Sequence, residues 1–330
     1  MKVLITGGLG FLGSNITRKF LERGENVILC DNLSRRGSEV NLENLKKEFS
    51  TVTNYEAEIN DVPSVIVREK PDLIYHFAAQ VAVTKSVISP VSDFKINAEG
   101  TFHVARTAYD LGIPLIYSST NKVFGDNVND VPIKELETRY DFDGEFGQKG
   151  IHEGFSVDAK NHTPYGCSKL VGDIYVREFG GVVNRCSCMY GKNQFGIIDQ
   201  GWVSYFIIQK MLGKDITIFG DGKQVRDLVY SDDVIELLML EGKALLDGDP
   251  DIKGEVFNVG GGFNNTVSLL ELCKKLGITP KFGDWRPSDQ KVFYCDVAKA
   301  KRVLGWEPKI GVDEGISRLH KWVEEHKDHF

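Results

Sequence analysis

Tyr165 and Lys169 stand four residues apart in Tyr165-Gly166-Cys167-Ser168-Lys169, so a helix there puts a phenol and an ammonium on one face. A free tyrosine has a pKa of about 10, too high for an efficient base at neutral pH. A neighbouring positive charge stabilises the phenolate and brings that value down. Tyr-x-x-x-Lys alone is a weak signal, because such a pair arises by chance about once in a chain of this size. Thr120 strengthens it. It closes Tyr117-Ser118-Ser119-Thr120 after an apolar run, at the carboxyl end of a strand, where hydroxyls face the crevice of an α/β sheet. The plainer alternative for Thr120 is a hydroxyl capping the next turn.

These groups need elements to position them. Short apolar, β-branched runs at 2–6, 26–30, 73–77 and 115–118 read as buried parallel strands. Amphipathic stretches at 11–23, 61–69 and 93–111 read as the helices between them. This alternation predicts an α/β fold, a doubly wound parallel sheet of the Rossmann type. Beyond Val182 the pattern loosens into Gly-, Asp- and aromatic-rich segments (190–202, 219–227, 260–265, 282–289). They predict a second, smaller α/β domain that holds the substrate. The expected division is residues 1–182 for the Rossmann domain, with a return segment near 228–262, and 183–227 plus 263–330 for the substrate domain. Residues 139–164 read as one long polar loop, which in a compact enzyme is functional or mobile.

Thr6-Gly7-Gly8-Leu9-Gly10-Phe11-Leu12-Gly13 follows the first strand directly and opens a helix. Glycines there allow a tight turn and close approach of a pyrophosphate to the helix N-terminus. Asp31 closes the second strand, where a carboxylate can accept hydrogen bonds from a ribose 2′-hydroxyl and would repel a 2′-phosphate. Arg35 and Arg36 follow closely and could hold a phosphate, so the residues favour NAD while leaving NADP open.

Thr-Gly-Gly-x-Gly-x-x-Gly, Ser-Ser-Thr with Gly125 after it, and Tyr-x-x-x-Lys, in this order, resemble the extended short-chain dehydrogenases that modify nucleotide sugars. The resemblance covers nearly the whole chain. It implies that Tyr165 is the base, Lys169 its partner and the anchor of the nicotinamide ribose, and Thr120 a donor to the reacting oxygen. Gly7, Gly10, Phe11, Leu12, Gly13, Asp31, Asn32, Ser34, Arg35, Phe77, Ala78, Ala79, Gln80 and Asn97 would complete the NAD site. The segments 118–126, 164–169, 199–203, 222–227 and Ser288-Asp289-Gln290, with the insertion before Tyr165, resemble the branch that inverts carbon 2 of CDP-sugars. Two departures are visible: Glu58 stands where relatives carry an adenine-contacting Asp, and Cys188 where 4-epimerases carry an Asn near the diphosphate.

Asn121, Lys122, Gln200, Trp202, Arg226, Arg286 and Asp289 are the expected substrate contacts. The planar fork of Arg226 and Arg286 suits a diphosphate, against a plainer reading as ion pairs with Asp227, Asp284 or Asp289. Trp202 could stack on a nucleobase or, beside Val203 and Phe206, belong to a core. His76 reads as a satisfied structural residue in a buried strand, and no metal site is expected.

With 330 residues, 42% hydrophobic, the chain can bury roughly two domains. A net charge of −7 argues against nucleic acid as a partner. Six cysteines without a C-x-x-C pair fit a reducing compartment, and no apolar run is long enough for a membrane. A cytoplasmic homodimer or homotetramer is expected. Three functions compete: a 2-epimerase passing through a 2-keto sugar, a 4-epimerase with the same machinery, and an inactive NAD-binding sensor or scaffold. A 4,6-dehydratase is disfavoured, because elimination needs an acid and a base where this chain has Asn121 and Lys122.

Overall fold

The computed structural model describes residues 1–286 and 289–330. Ser288, part of one motif above, lies outside them. Seven parallel strands form the central sheet: β1 (Lys2–Thr6), β2 (Asn26–Cys30), β3 (Thr53–Tyr55), β4 (Leu73–His76), β5 (Leu115–Thr120), β6 (Val182–Cys186) and β7 (Val256–Val259). Their spatial order is β7-β6-β5-β4-β1-β2-β3. The order reverses between β1 and β4, which opens a crevice at the strands' carboxyl ends.

Both faces are covered, because strand residues alternate in direction and both sets are apolar. Val3 and Ile5 pack into one core with Ile16, Phe20, Val234 and Leu238, while Leu4 packs into another with Ile66, Val104, Ala105 and Val176. A third core, built on Tyr190, Phe206, Ile218, Leu228, Leu319 and Trp322, belongs to the C-terminal half of the chain. There a small mixed sheet joins Cys188–Tyr190, Val225–Tyr230, Thr266–Ser268 and Val292–Phe293.

Four expectations need correction. The boundary after Val182 cuts β6 one residue in; the central sheet continues to Cys186. Asn184 and Arg185 hide this strand in the sequence, since their polarity breaks the apolar run, yet both find partners inside. Arg185 meets the Asp173 carboxylate at 2.7 Å, and Asn184 donates to Glu241 at 2.8 Å. The predicted helix 93–111 is three pieces, Pro90–Phe94, a π-helical turn over Lys95–Gly100, and Thr101–Asp110. Segment 139–164 is not an open loop. Tyr140–Phe142 pairs with Ile133–Glu135, and Tyr140, Phe142 and Ile151 enter a core with Phe124, Phe293 and Tyr294. Finally, 219–227 ends in a strand, Val225–Tyr230, instead of a loop.

Candidate active site

The crevice starts at the glycine turn. Gly7 adopts a positive φ of 62°, and a Cβ there would lie 2.8 Å from the Ala78 nitrogen, so the turn has no room for a side chain. A Cβ at Gly13 would collide with the Gly7 carbonyl at 2.1 Å, which fixes how closely helix Phe11–Glu22 packs on the turn. Gly10 precedes that helix with no side-chain cap, leaving its first amides, at Phe11, Leu12 and Gly13, available to an anion. Asp31 locks the turn from β2: its carboxylate accepts from the Leu9 and Leu33 amides, both at 2.9 Å. Burial nevertheless raises this carboxyl above its ordinary value. This uncapped helix start beside a buried carboxylate fits the pyrophosphate and ribose of NAD.

The wall opposite is backbone held by side chains. Thr6 Oγ1 accepts from the Phe77 and Ala78 amides at 3.2 and 3.1 Å, so its proton points to His76 Nδ1 at 2.6 Å. His76 Nε2–H then donates to Thr101 at 3.0 Å. Burial lowers its pKa to about 3, so His76 is a neutral structural residue. Phe77, Ala78 and Ala79 are half-buried at the end of β4. Gln80 and Asn97 differ from expectation, because their amides point into the protein. Asn97 bonds both backbone groups of Gln80, at 2.9 and 2.8 Å, and the Gln80 side chain donates to Asp93 at 2.7 Å. They shape the crevice wall without their side chains facing it.

Asp93 also accepts from Ser168 at 2.5 Å, which ties this wall to helix Thr163–Glu178. Asp93, Ser168 and Ser86, whose hydroxyl accepts the Tyr165 amide at 3.1 Å, are positioning residues that sequence reasoning missed. Ser168 carried the only signal, lying inside the Tyr-x-x-x-Lys stretch itself.

Thr120, Tyr165 and Lys169 come together at the carboxyl end of β5. The phenol of Tyr165 lies close enough to Thr120 for the hydroxyl to act on it. Burial dominates and pushes the phenol above its ordinary value, with Thr120 and the Arg35 charge opposing. The expected lowering by Lys169 is therefore not produced by the protein's groups alone. Lys169 is itself buried, donating to the Ser118 carbonyl at 2.6 Å and lying over the Tyr117 ring at 4.1 Å. Burial pushes its ammonium down to about 7, so its charge stays available only while something negative or polar faces it.

Residues after β2 divide between two roles. Asn32 donates to Glu58 at 3.1 Å and accepts from the Ser34 hydroxyl at 2.7 Å, building the outer rim. Arg35 reaches inward instead, donating to Gln200 and lying close enough to feel Tyr165.

The substrate residues form two groups. Asn121 bonds Thr120 and Gln290, each at 3.3 Å, while Lys122 shares electrostatic surroundings with Arg226, Asp289 and Cys188. Arg226 pairs with Asp289 at 2.7 Å, so the plainer ion-pair reading is realised with a residue also expected at the site. Asp227 is fully buried and accepts from Ser187, Cys295 and the Gly262 amide. Arg286 belongs to the second group, 3.5 Å from Asp199 and over the Phe219 ring at 4.1 Å. Trp202 lies edge-on to Phe206 on the third core, with its indole N–H donating to Cys188 at 3.4 Å. It is half-buried, packing against that core on one side and against Cys188 on the other.

The sequence profile of the NAD dependent epimerase/dehydratase family matches residues 3–260. The chain is 39% identical to a CDP-paratose 2-epimerase of Salmonella typhi, covering 98% of this chain and 99% of that one. It is 31% identical to a putative UDP-glucose 4-epimerase of Methanocaldococcus jannaschii, covering 98% of both. Its fold matches the UDP-glucose 4-epimerase of Thermotoga maritima, solved with UDP-glucose, at a TM-score of 0.80 and 28% identity over 99% of this chain and 100% of that one. The dTDP-glucose 4,6-dehydratase of Streptomyces venezuelae, solved with NAD, gives 0.81 and 25% over 99% and 98%. With its uncapped glycine turn, buried Asp31 and converging Thr120, Tyr165 and Lys169, this chain belongs to the NAD dependent epimerase/dehydratase family.

Proposed function

We propose that the protein is a nucleotide-sugar 2-epimerase, acting on a CDP-activated hexose with NAD held in the crevice. The observation that carries this reading is the meeting of Thr120, Tyr165 and Lys169 at the end of β5 in a chain 39% identical to a CDP-paratose 2-epimerase. NAD supplies a hydride acceptor that returns what it takes, so the reaction has no net redox change. Tyr165 accepts the proton of the carbon-2 hydroxyl, and Thr120 holds the same oxygen by a hydrogen bond. Lys169 anchors the cofactor ribose and supplies the positive charge that a buried phenolate requires. Tyr165 returns the proton once the 2-keto sugar has presented its other face.

Asn121 and Lys122 support epimerisation over elimination, since neither brings the carboxyl groups that the 4,6-dehydratases resembling this chain use for elimination. The second reading, a 4-epimerase, is favoured by the 31% identity to a putative UDP-glucose 4-epimerase. A panel of CDP-, GDP- and UDP-sugars scored for inversion at carbon 2 and carbon 4 separates the two. Carbon-2-deuterated substrate adds the mechanism. The label should survive inversion at the same carbon, and its exchange with solvent would defeat hydride return.

A cytoplasmic homo-oligomer belongs to the same proposal. All six cysteines are free. Val87, Ile88, Val91, Phe94 and Ile174 put apolar side chains outward on the helices that hold Tyr165, a surface suited to a second copy. Sedimentation at micromolar concentration tests it, with a monomer as the opposing result.

A further inference from the structure

Lys122 occupies an unusual place for a lysine. Its amide donates to Thr120 Oγ1 at 3.2 Å. Its carbonyl backs onto the catalytic helix so tightly that a Cβ at Gly166 would lie 2.7 Å away. The backbone of Lys122 is therefore wedged between Thr120 and the residue that follows Tyr165. Its neighbour Asn121 donates to Gln290 at 3.3 Å, which brings this segment against Asp289, and the side chain of Lys122 lies within electrostatic reach of Arg226, Asp289, Cys188 and Asp126. Among the described residues its Nζ has no hydrogen-bond or ion-pair partner, and the two carboxylates that act on it are engaged elsewhere, Asp289 by Arg226 at 2.7 Å and Asp126 by Asn161 at 2.6 Å. Burial and the Arg226 charge together lower the ammonium's pKa, and a negatively charged group arriving here would offset both.

The geometry of a hexose decides what that group is. The diphosphate hangs on carbon 1. Carbon 2 is bonded to that carbon, whereas carbon 4 lies across the ring. An enzyme that brings carbon 2 to the Thr120 and Tyr165 hydroxyls must therefore hold the sugar-proximal phosphate right beside them. One that presents carbon 4 must hold it a ring's width away. Resting on the 2-epimerase reading above, we propose that Lys122 binds the sugar-proximal phosphate and is the residue that selects carbon 2, with Arg226 and Asp289 orienting it from behind. The same grip supplies a short pivot, about which the keto sugar turns while its diphosphate stays in place. Cys188, a small and weakly polar neighbour, leaves this phosphate to the ammonium.

The experiment compares wild type, Lys122→Met and Lys122→Arg, each saturated with NAD. The first arm measures CDP and CMP affinity by calorimetry. Wild type should prefer CDP, and Lys122→Met should lose about tenfold of that preference, the size of one charge-assisted contact. Lys122→Arg should recover most of it. The second arm follows CDP-hexose turnover. Lys122→Met should show a raised KM, a lower rate of carbon-2 inversion and a larger share of carbon-4 inversion, while NAD retention and melting temperature stay near wild type. An unchanged CDP-to-CMP ratio in a folded Lys122→Met protein overturns the phosphate assignment. A reduced ratio with carbon-2 selectivity intact overturns the selection role. Inversion at carbon 4 by wild type itself sinks the 2-epimerase reading and the selection role with it, and the first arm still decides whether Lys122 grips the phosphate.

Discussion

The two halves of the site are built differently. The cofactor half is made of backbone and of residues close in sequence: the turn from Gly7 to Gly13, the end of β2 at Asp31, and one helical turn from Tyr165 to Lys169. The substrate half is made of long side chains from distant segments, Lys122, Arg226 and Asp289, gathered by the small sheet around Val225–Tyr230. The difference implies different tolerances. Backbone amides at a strand end are set by the whole sheet, and a single substitution at the rim leaves them in place. An ion pair between side chains changes with one residue, so substrate choice can drift while the cofactor half stays intact.

The largest effect that would break this comparison lies in the catalytic half. Tyr165→Phe should lower turnover by about two to four orders of magnitude, with little change in nucleotide-sugar binding. Near-normal turnover in that variant removes Tyr165 from the chemistry. The substrate half should answer in the opposite way. Arg226→Met removes the partner of the Asp289 carboxylate at the proposed diphosphate site. We expect KM for a CDP-sugar to rise by about one to two orders of magnitude, with NAD retention unchanged. If NAD is lost instead, the two halves are not separable.

Cofactor identity sharpens the comparison further. Denaturing the purified protein and separating the supernatant should release NAD, because Asp31 sits buried at the turn and opposes a 2′-phosphate. NADP as the main species would instead assign that end of the crevice to Arg35 and Arg36. The smallest effect concerns pH and tests whether the sheet beneath the site behaves as closed core. Glu241 is fully buried beside Asn184, and burial pushes its carboxyl up to about 8. An unfolded Glu releases its proton at about 4.3. Between those values the native state binds the extra proton, so this stabilising contribution is complete at low pH and is lost as pH rises through about 8. Glu241→Gln should flatten the melting temperature across that window without altering turnover. A wild-type curve already flat there argues that Glu241 is hydrated and ionised.

The break in helix 93–111 shows where sequence reading stops. Locally its apolar period continues, and nothing in it announces a π turn. The turn buries Asn97, whose partners Gln80 and Ser168 lie far along the chain, so only the assembled fold selects it. Segment 139–164 is similar. Its polar, glycine-rich composition reads as loop, yet the Ile151 amide donates to the carbonyl of Tyr294, a residue far along the chain, at 2.9 Å.

By itself the sequence determined the alternation of strands and helices, the glycine turn with Asp31 after it, and the Tyr165–Lys169 spacing, because each is written in contiguous residues whose periodicity or backbone freedom is local. Tertiary structure alone decided that Arg35 turns inward to Gln200, that Asn97 and Gln80 support the wall without facing it, and that Lys122, Arg226 and Asp289 share one corner. Those outcomes depend on which strands pair and on which buried charge finds a partner. Pairing of that kind is a property of residues far apart in the chain, and no window of the sequence contains it.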